Sequence, residues 1–203
     1  MSVYALQKHL KESMWEWRRL YGAEMDNEKY YIRDWSKIGM RLPSHDWVSC
    51  WGSGSTCKPR SCPRSNGERT DESCRGERFK IVSNKGGYIK TCDTVGLRYS
   101  YQNNKGYWLS NYGIWVDTKI CPGKHFKYIQ SSQYCRAEKW TIKAAGKNCN
   151  EPIEHLDAIS LKGHHYKLYL GNTRFHMYLT HMKYSRKQSA TIFLWGYDSS
   201  LYE

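Results

Sequence analysis

The sequence predicts an all-β domain made of three degenerate repeats of about sixty residues, closed as a barrel with a hairpin cap. Two observations lead to this prediction. Stretches of the chain recur at an offset of 61 residues, and apolar residues alternate with polar ones in short runs separated by Gly, Asn and Pro. A closed barrel suits a chain of about twelve such strands because closure leaves no strand edge exposed.

The repeat is clearest between the first two copies. Residues 74–81, CRGERFKI, match residues 135–142, CRAEKWTI, at an offset of 61. Residues 47–52, WVSCWG, match residues 108–113, WLSNYG, at the same offset. So many matches in the same order are not expected by chance, and they indicate one structural unit used twice.

A third copy is weaker but follows the same frame. Residues 31–32, YI, match residues 88–89, YI, at an offset of 57, and residues 152–153, PI, match both less closely. The third copy lacks the matching cysteines and has diverged most. The three copies span about residues 30–83, 86–145 and 151–196.

The repeat resembles the unit of β-trefoil proteins. Its second copy has Ile89, then Asp-x-Val-x-Leu at residues 93–97, then Trp-Leu-Ser at residues 108–110, then aromatic-x-Ile at residues 140–142. The style is similar to that of fascin-like and MIR-like repeats, and the resemblance covers about residues 30–196. It implies a β-trefoil fold for residues 26–203.

One signature of a related family is missing. Ricin-type lectins carry Gln-x-Trp in each repeat, and here those positions are ERF at residues 77–79, EKW at 138–140 and TIF at 191–193. A ricin-type galactose site is therefore not expected, although the β-trefoil prediction does not depend on it.

The N-terminal segment lies outside the repeat frame. Leu6, Leu10, Met14, Trp17 and Tyr21 recur at steps of three and four residues, which predicts an amphipathic helix within residues 1–25. We expect this helix to pack across one end of the barrel. A helix that contacts a membrane or a partner is the alternative, because the segment is rich in Lys, Arg and Trp.

The chain contains eight cysteines, an even number that indicates disulfides and an oxidising compartment. Repeat symmetry predicts that equivalent pairs close the same loop in the first two copies, and the two cysteines nearest the first of these loops are expected to bridge each other. The predicted pairs are Cys62–Cys74, Cys121–Cys135 and Cys50–Cys57, while Cys92 and Cys149 either pair or are free. Zinc is the less favoured reading, because neither CxxC nor HExxH occurs.

The charge is strongly basic, with 32 Lys and Arg against 19 Asp and Glu and a formal net charge of +13. No acidic residue occurs from Ala158 to Tyr197. This balance favours an anionic partner such as a sulfated glycan or acidic lipid, or else serves solubility alone. No motif indicates sequence-specific binding of nucleic acid. The candidate anion-binding residues are Lys162, His164, His165, Lys167, Arg174, Lys183, Arg186 and Lys187.

No motif predicts catalysis. The sequence has no GxSxG, no phosphate-binding glycine loop and no pair of carboxylates at a spacing typical of a catalytic site, so we expect neither an enzyme nor a cofactor. His164 and His165 are adjacent and would point to opposite faces of a hairpin, so we expect no metal site there.

Binding is the predicted class of function, since a rigid barrel can present variable loops. Aromatic rings beside turns can stack against sugars, and the candidate glycan-binding residues are Trp35, Trp51, Tyr112, Trp115 and Asn172. Trp47, Trp108 and Trp140 occupy matched repeat positions and are expected in the core. The leading hypothesis is a non-enzymatic lectin-like protein for cell-surface or acidic glycans. The alternatives are a defence or toxin protein that engages anionic membranes, and a heparin-binding growth-factor-like or scaffold trefoil.

The disulfide pattern predicts an extracellular, secreted protein. The first twelve residues, MSVYALQKHLKE, lack the apolar h-region of a signal peptide, which leaves a different natural start, a cytosolic protein or unconventional export open. No run of 18 apolar residues occurs, so no membrane-spanning helix is expected. The sequence does not indicate an oligomeric state.

Overall fold

The computed structural model describes residues 31–42, 44, 46–50, 56–61, 78–99, 106–112, 115–121, 133–172, 177–180 and 192–197. The helix predicted within residues 1–25 lies outside these ranges. The described residues form an all-β sheet with one short 3₁₀ segment, Gln133–Glu138. Within the described ranges, no helix is both long and apolar enough to cross a bilayer.

The strands are short, as the turn-rich sequence predicts. Their bounds are β1 Lys37–Arg41, β2 Trp47–Ser49, β3 Lys58–Arg60, β4 Phe79–Ser83, β5 Thr94–Tyr99, β6 Tyr107–Ser110, β7 Asp117–Ile120, β8 Trp140–Ala144, β9 Ala158–Gly163, β10 Tyr169–Asn172, β11 Met177–Thr180 and β12 Ile192–Tyr197.

The sheet closes on itself. Strands β1, β4, β5, β8, β9 and β12 pair in that order, and β12 returns to β1, so these strands form a closed antiparallel barrel. The remaining strands form the hairpins β2–β3, β6–β7 and β10–β11. Each hairpin is joined to the barrel through β1, β5 or β9 respectively. Closure satisfies the backbone groups of the barrel strands without an open edge.

A ring of backbone hydrogen bonds relates three isoleucines around the barrel. Ile32 N donates to Ile153 O at 2.8 Å, Ile89 N donates to Ile32 O at 2.8 Å, and Ile153 N donates to Ile89 O at 2.9 Å. All three side chains are buried. These are the residues that define the offset in the sequence, so the ring brings the matched positions together about one axis.

A tight turn follows each of these isoleucines. Trp35, Cys92 and Leu156 occupy the same place in the three turns and have φ of 66°, 72° and 65°. The left-handed conformation is unfavourable for residues other than glycine, so tertiary contacts must hold it. At Cys92 one such constraint is a disulfide to Cys149.

The core consists of apolar side chains from the inward faces of the barrel and its hairpins. Trp47, Trp108 and Trp140 are all buried, in agreement with their matched positions. The Trp140 indole Nε1 donates to the carbonyl of Leu109 at 2.9 Å, which satisfies its one polar group. Burial of rings of this size supplies much of the apolar area that stabilises a small barrel.

Three disulfides join described cysteines, and none of the described cysteines is free. The pairs are Cys50–Cys57, Cys92–Cys149 and Cys121–Cys135. The first and third are pairs expected from the sequence, and the second resolves the alternative between pairing and free thiols. Cys62 and Cys74 lie outside the described residues. Three disulfides in one domain indicate an oxidising environment.

Candidate functional site

A cleft of about 280 Å³ lies on the outer face of strands β8, β9 and β10. We call it the basic cleft, and its lining residues are Thr141, Lys143, Ser160, Lys162, Gly163, His164, Lys167 and Tyr169.

Strand alternation and register place these residues side by side. In β8, Trp140 and Ile142 are buried, so the residues between and after them face outward. Thr141 lies opposite Lys162, which in turn lies opposite Tyr169 on the next strand. Lys143 lies opposite Ser160 in the same way. The result is a patch of ammonium and hydroxyl groups on three neighbouring strands.

The basic cleft is positively charged without internal compensation. Its lining contains three lysines and no acidic residue. Among the described residues, no carboxylate lies within 4.0 Å of the ammonium groups of Lys143, Lys162 or Lys167. The Lys162 ammonium lies 5.3 Å from the centre of the Tyr169 ring, where a cation–π contact directs it across the strands. A concave surface of one charge sign favours an anionic ligand.

His164 adds a titratable group to the basic cleft. Its Nε2 is hydrogen-bonded to the Thr141 hydroxyl at 2.9 Å. Burial lowers the pKa of His164, and the positive charges of Lys167, Lys139 and Arg136 lower it further. The imidazole is therefore neutral near pH 7, and a bound anion would favour its protonation.

An aromatic cluster includes two residues of the turn at 164–166, which connects β9 to β10. The His165 ring is 5.3 Å from the Tyr112 ring and 4.3 Å from the Tyr166 ring, measured between centroids. Tyr112 is 55% exposed and Tyr166 is 46% exposed, so both rings present a large surface to solvent. The Lys119 ammonium lies 4.3 Å from the Tyr112 ring centre. We call Tyr112, His165 and Tyr166 the aromatic cluster.

Asn111 holds the turn at residues 164–166, which carries residues of both the basic cleft and the aromatic cluster. Its side-chain Nδ2 donates to the Lys139 carbonyl at 3.1 Å, and its Oδ1 accepts from the His165 backbone N–H at 3.3 Å. Gly163 packs against this buried amide, and a Cβ there would lie 2.7 Å from Asn111 Cγ. Glycine at 163 therefore allows the close approach that fixes the turn.

The structure brings together part of the predicted anion-binding set. Lys162, His164 and Lys167 line the basic cleft, whereas His165 belongs to the aromatic cluster. Both histidines lie in the turn after β9, where the alternation of a strand does not apply. Arg174, Lys183, Arg186 and Lys187 lie outside the described residues. Sequence reasoning missed Thr141, Lys143 and Ser160, and the alternating pattern WTIKA was the signal that marks the first two as outward-facing.

The predicted glycan-binding residues are dispersed. Trp35, Tyr112 and Trp115 are exposed to 37%, 55% and 48%, and they lie before β1, after β6 and before β7. Tyr112 is part of the aromatic cluster, while the Trp35 ring lies 6.0 Å from the Arg98 guanidinium. Trp51 and the side chain of Asn172 lie outside the described residues. Tyr166 was missed because the contact of its neighbour His165 with Tyr112 arises from the fold.

One group of potential metal ligands occurs elsewhere among the described residues. Cys121, Cys135 and Glu138 offer atoms within 4.8 Å of one another. Both sulfurs are joined in a disulfide, however, and a disulfide does not supply thiolate ligands. With the disulfide intact, this group lacks the thiolate ligands of a metal site.

Lowering the pH from about 7.5 to about 5.5 is expected to tighten the binding of sulfate, used as a probe anion, to the basic cleft. The pKa of His164 is depressed below its ordinary value, and an anion bound beside it would raise that pKa again. The imidazole therefore takes up a proton when the anion binds. Each unit by which the anion raises this pKa increases affinity by at most about tenfold. Thermal melts in sulfate and in chloride at both pH values measure the effect.

His164→Gln is the matched variant for that measurement. It retains a polar side chain but cannot titrate, so the pH-dependent part of sulfate stabilisation should be lost. The pKa depression also means that charging His164 lowers stability in chloride as the pH falls below about 6.5. If sulfate stabilisation of His164→Gln kept the pH dependence of the wild-type chain, His164 would not be the group that takes up the proton.

Comparison with known proteins identifies the fold. No protein-family profile matches the sequence, and no curated protein matches it. The structure is similar to the SDF2-like protein from Arabidopsis thaliana, at 11% identity and a TM-score of 0.55, covering 81% of this chain and 93% of that one. It is similar to cytolethal distending toxin from Actinobacillus actinomycetemcomitans, at 9% identity and a TM-score of 0.53, covering 78% and 90%.

A third similar structure is the protein O-mannosyltransferase Pmt1-Pmt2 complex of S. cerevisiae bound to the sugar donor. The identity is 10% and the TM-score 0.54, and the match covers 87% of this chain but 27% of that chain. At these identities the likeness establishes the fold alone. Together with the closed barrel and its three hairpins, it places the chain among proteins with a β-trefoil-like fold.

Proposed function

We propose that this chain is a non-enzymatic, lectin-like β-trefoil protein of three repeats that binds cell-surface or acidic glycans. The observation that carries the proposal is the aromatic cluster, in which two tyrosine rings are about half exposed and both lie close to the His165 ring. Rings displayed in this way are not needed for the core. They offer flat apolar faces with polar tips, a combination suited to recognition.

The chemistry of a sugar matches this cluster. A pyranose ring has apolar C–H faces that stack on aromatic side chains, while its hydroxyls require hydrogen-bond partners at the rim. Tyr112 and Tyr166 supply the faces and their phenol groups, and the Lys119 ammonium lies beside the Tyr112 ring. The turn that carries the cluster is held by Asn111, so the platform is preorganised and loses little freedom on binding.

The fold and the disulfides add support. One structural neighbour is a protein O-mannosyltransferase complex bound to its sugar donor, and the repeats resemble the MIR-like style of trefoil. Three disulfides suit a protein that works in the extracellular space, and we propose a secreted protein on that basis.

Replacing Tyr112 or Tyr166 with alanine is expected to weaken glycan binding at least about tenfold, because each change removes a stacking face. A glycan array at low and at physiological salt identifies a ligand, and calorimetry with that ligand measures the loss. Tyr88→Ala is the matched control, since Tyr88 is 41% exposed and does not belong to the aromatic cluster. Absence of binding to every glycan, or full affinity in both cluster variants, would overturn the proposal.

The basic cleft favours a second candidate function, binding to sulfated polymers or anionic membranes without recognition of a sugar ring. This covers both a heparin-binding growth-factor-like or scaffold protein and a toxin or defence protein. Such binding would collapse as salt rises from about 0.05 to about 0.5 M, because it is purely electrostatic. Leakage from anionic liposomes would support the toxin form, whereas salt-resistant binding to a neutral sugar supports the lectin.

A further inference from the structure

The basic cleft and the aromatic cluster share one turn. His164 lines the basic cleft, and the next residue, His165, lies against the rings of Tyr112 and Tyr166. The Cα atoms of the two histidines are therefore about 3.8 Å apart. Lys167, which lines the basic cleft, likewise follows Tyr166 of the aromatic cluster, so residues 164–167 carry groups of both features and one oligosaccharide can extend along them.

We propose that the two features form one composite site for an acidic oligosaccharide. The anionic group of one sugar enters the basic cleft, and the neighbouring sugar stacks on Tyr112 and Tyr166. This inference rests on the proposed function and specifies its ligand class, which is a glycan with a carboxylate or sulfate group next to a ring with a free apolar face.

The donors in the basic cleft suit one carboxylate or sulfate. Lys143, Lys162 and Lys167 bring ammonium groups that no described carboxylate neutralises. The Ser160 hydroxyl lines the same cleft and can donate a hydrogen bond to an anionic oxygen, and the Thr141 hydroxyl can do so when His164 Nε2–H is the donor in their contact. Charge-assisted hydrogen bonds of this type select an anion over a neutral hydroxyl.

The size of the basic cleft limits the ligand. A volume of about 280 Å³ is at the low end of ligand pockets, so it holds one charged sugar residue rather than a long polymer segment. The hydroxyl donors also favour a ligand that enters the cleft, since a flat anionic membrane would contact only the ends of the lysines. An acidic oligosaccharide accordingly fits better than a membrane surface.

The test compares three forms of one glycan: a sulfated glycosaminoglycan octasaccharide, its desulfated form with carboxylates intact, and a desulfated, carboxyl-reduced neutral form. Calorimetry at about 0.15 M salt measures each against the wild-type chain and its variants. We expect at least one acidic form to bind about tenfold or more tightly than the neutral form. Whichever acidic form binds more tightly identifies sulfate or carboxylate as the group in the basic cleft.

Three variants separate the two halves of the site. The double variant Lys162→Met, Lys167→Met should remove the preference for acidic forms and retain binding of the neutral form. Tyr112→Ala should weaken all forms that bind. Lys37→Met removes an exposed lysine of β1 outside the cleft, and it should behave like wild type. A thermal melt of each variant verifies that it is folded.

The outcomes distinguish this inference from the proposed function. Equal binding of acidic and neutral forms, with no effect of the double lysine variant, would overturn the composite site and leave the lectin proposal intact. Absence of binding to all three forms and to every arrayed glycan would overturn both. A third outcome would overturn the composite site: the double variant loses binding of the acidic forms, while Tyr112→Ala has no effect. If the wild-type chain also bound phosphatidylserine vesicles as tightly as the acidic glycan, the basic cleft would act separately from the aromatic cluster.

Discussion

Replacing both Cys92 and Cys149 with serine is expected to lower the free energy of unfolding by about 4 kcal/mol. This disulfide spans 57 residues, against 14 for Cys121–Cys135 and 7 for Cys50–Cys57. The entropy that a cross-link removes from the unfolded chain grows with the length of the closed loop, so it should be the strongest of the three.

The position of Cys92 reinforces this effect. Its φ of 72° lies in the left-handed region, and its backbone N–H donates to the Ile142 carbonyl at 2.7 Å. The disulfide thus ties the turn before β5 to the loop after β8 and helps hold an unfavourable backbone conformation. Without it, the turn should open more readily than the rest of the barrel.

Urea denaturation under non-reducing conditions measures the change, and a thermal melt should show a decrease of about 8–16 °C for a chain of this length. The matched control is the double variant Cys50→Ser, Cys57→Ser, which opens a much shorter loop and should cost less. If the two double variants were equally destabilised, loop length would not be the controlling term.

Asp157→Ala is the second change with a large expected effect, a loss of about 3–5 kcal/mol of folding free energy. The Asp157 carboxylate is buried and accepts from Lys147 Nζ at 2.6 Å and from the Glu154 backbone N–H at 2.8 Å. Lys147 Nζ also contacts Glu154 Oε1 at 3.0 Å and the Pro152 carbonyl at 2.8 Å. Removing Asp157 leaves a largely buried ammonium without its nearest partner.

The pH dependence of this contact has a definite sign. Burial alone lowers the pKa of Lys147, but hydrogen bonds and charge attraction from Asp157 and Glu154 outweigh it and raise the pKa above 10.5. The stabilisation is therefore fully present below the unfolded pKa of about 10.4, and it is lost as the pH rises through the higher folded value. In Lys147→Met, the fall in unfolding free energy above about pH 10.5 should be smaller.

A related ion pair provides the comparison. Lys85 Nζ lies 2.6 Å from Asp93, but the Lys85 side chain is 60% exposed, against 17% for Lys147. Asp93 is as buried as Asp157, but Lys85 itself is mostly exposed to water. Lys85→Met should therefore cost less than Lys147→Met, which leaves the carboxylates of both Asp157 and Glu154 without their cation. Urea titrations of both lysine variants at pH 7 and at pH 11 test the contrast, and equal costs for the two would refute the role given to burial.

The all-β fold could be predicted from the sequence because its strands and turns follow from local patterns of apolar, polar and turn residues. The matched residues at 31–32, 88–89 and 152–153 proved to surround one ring of hydrogen bonds, and the alternating runs became strands. The tryptophans expected in the core, Trp47, Trp108 and Trp140, are likewise buried.

Only part of the candidate site could be predicted from local patterns in the sequence. The absence of acidic residues between Ala158 and Tyr197 marked Lys162, His164 and Lys167 as candidates. Lys143 was not marked, because it lies opposite Ser160 only through the pairing of β8 with β9. Such a contact depends on register between strands, which no single segment contains.

By itself, the sequence determined that the chain is a basic, aromatic-rich all-β protein with the disulfides of an oxidising compartment, since composition and periodicity are local properties. The tertiary structure decided which residues meet. The pairing of β8 with β9 placed Lys143 and Lys162 in one cleft, and the buried amide of Asn111 holds the backbone of His165, whose ring lies close to those of Tyr112 and Tyr166. Strand register and the close approach at Gly163 bring these residues together, and both exist only in the folded chain.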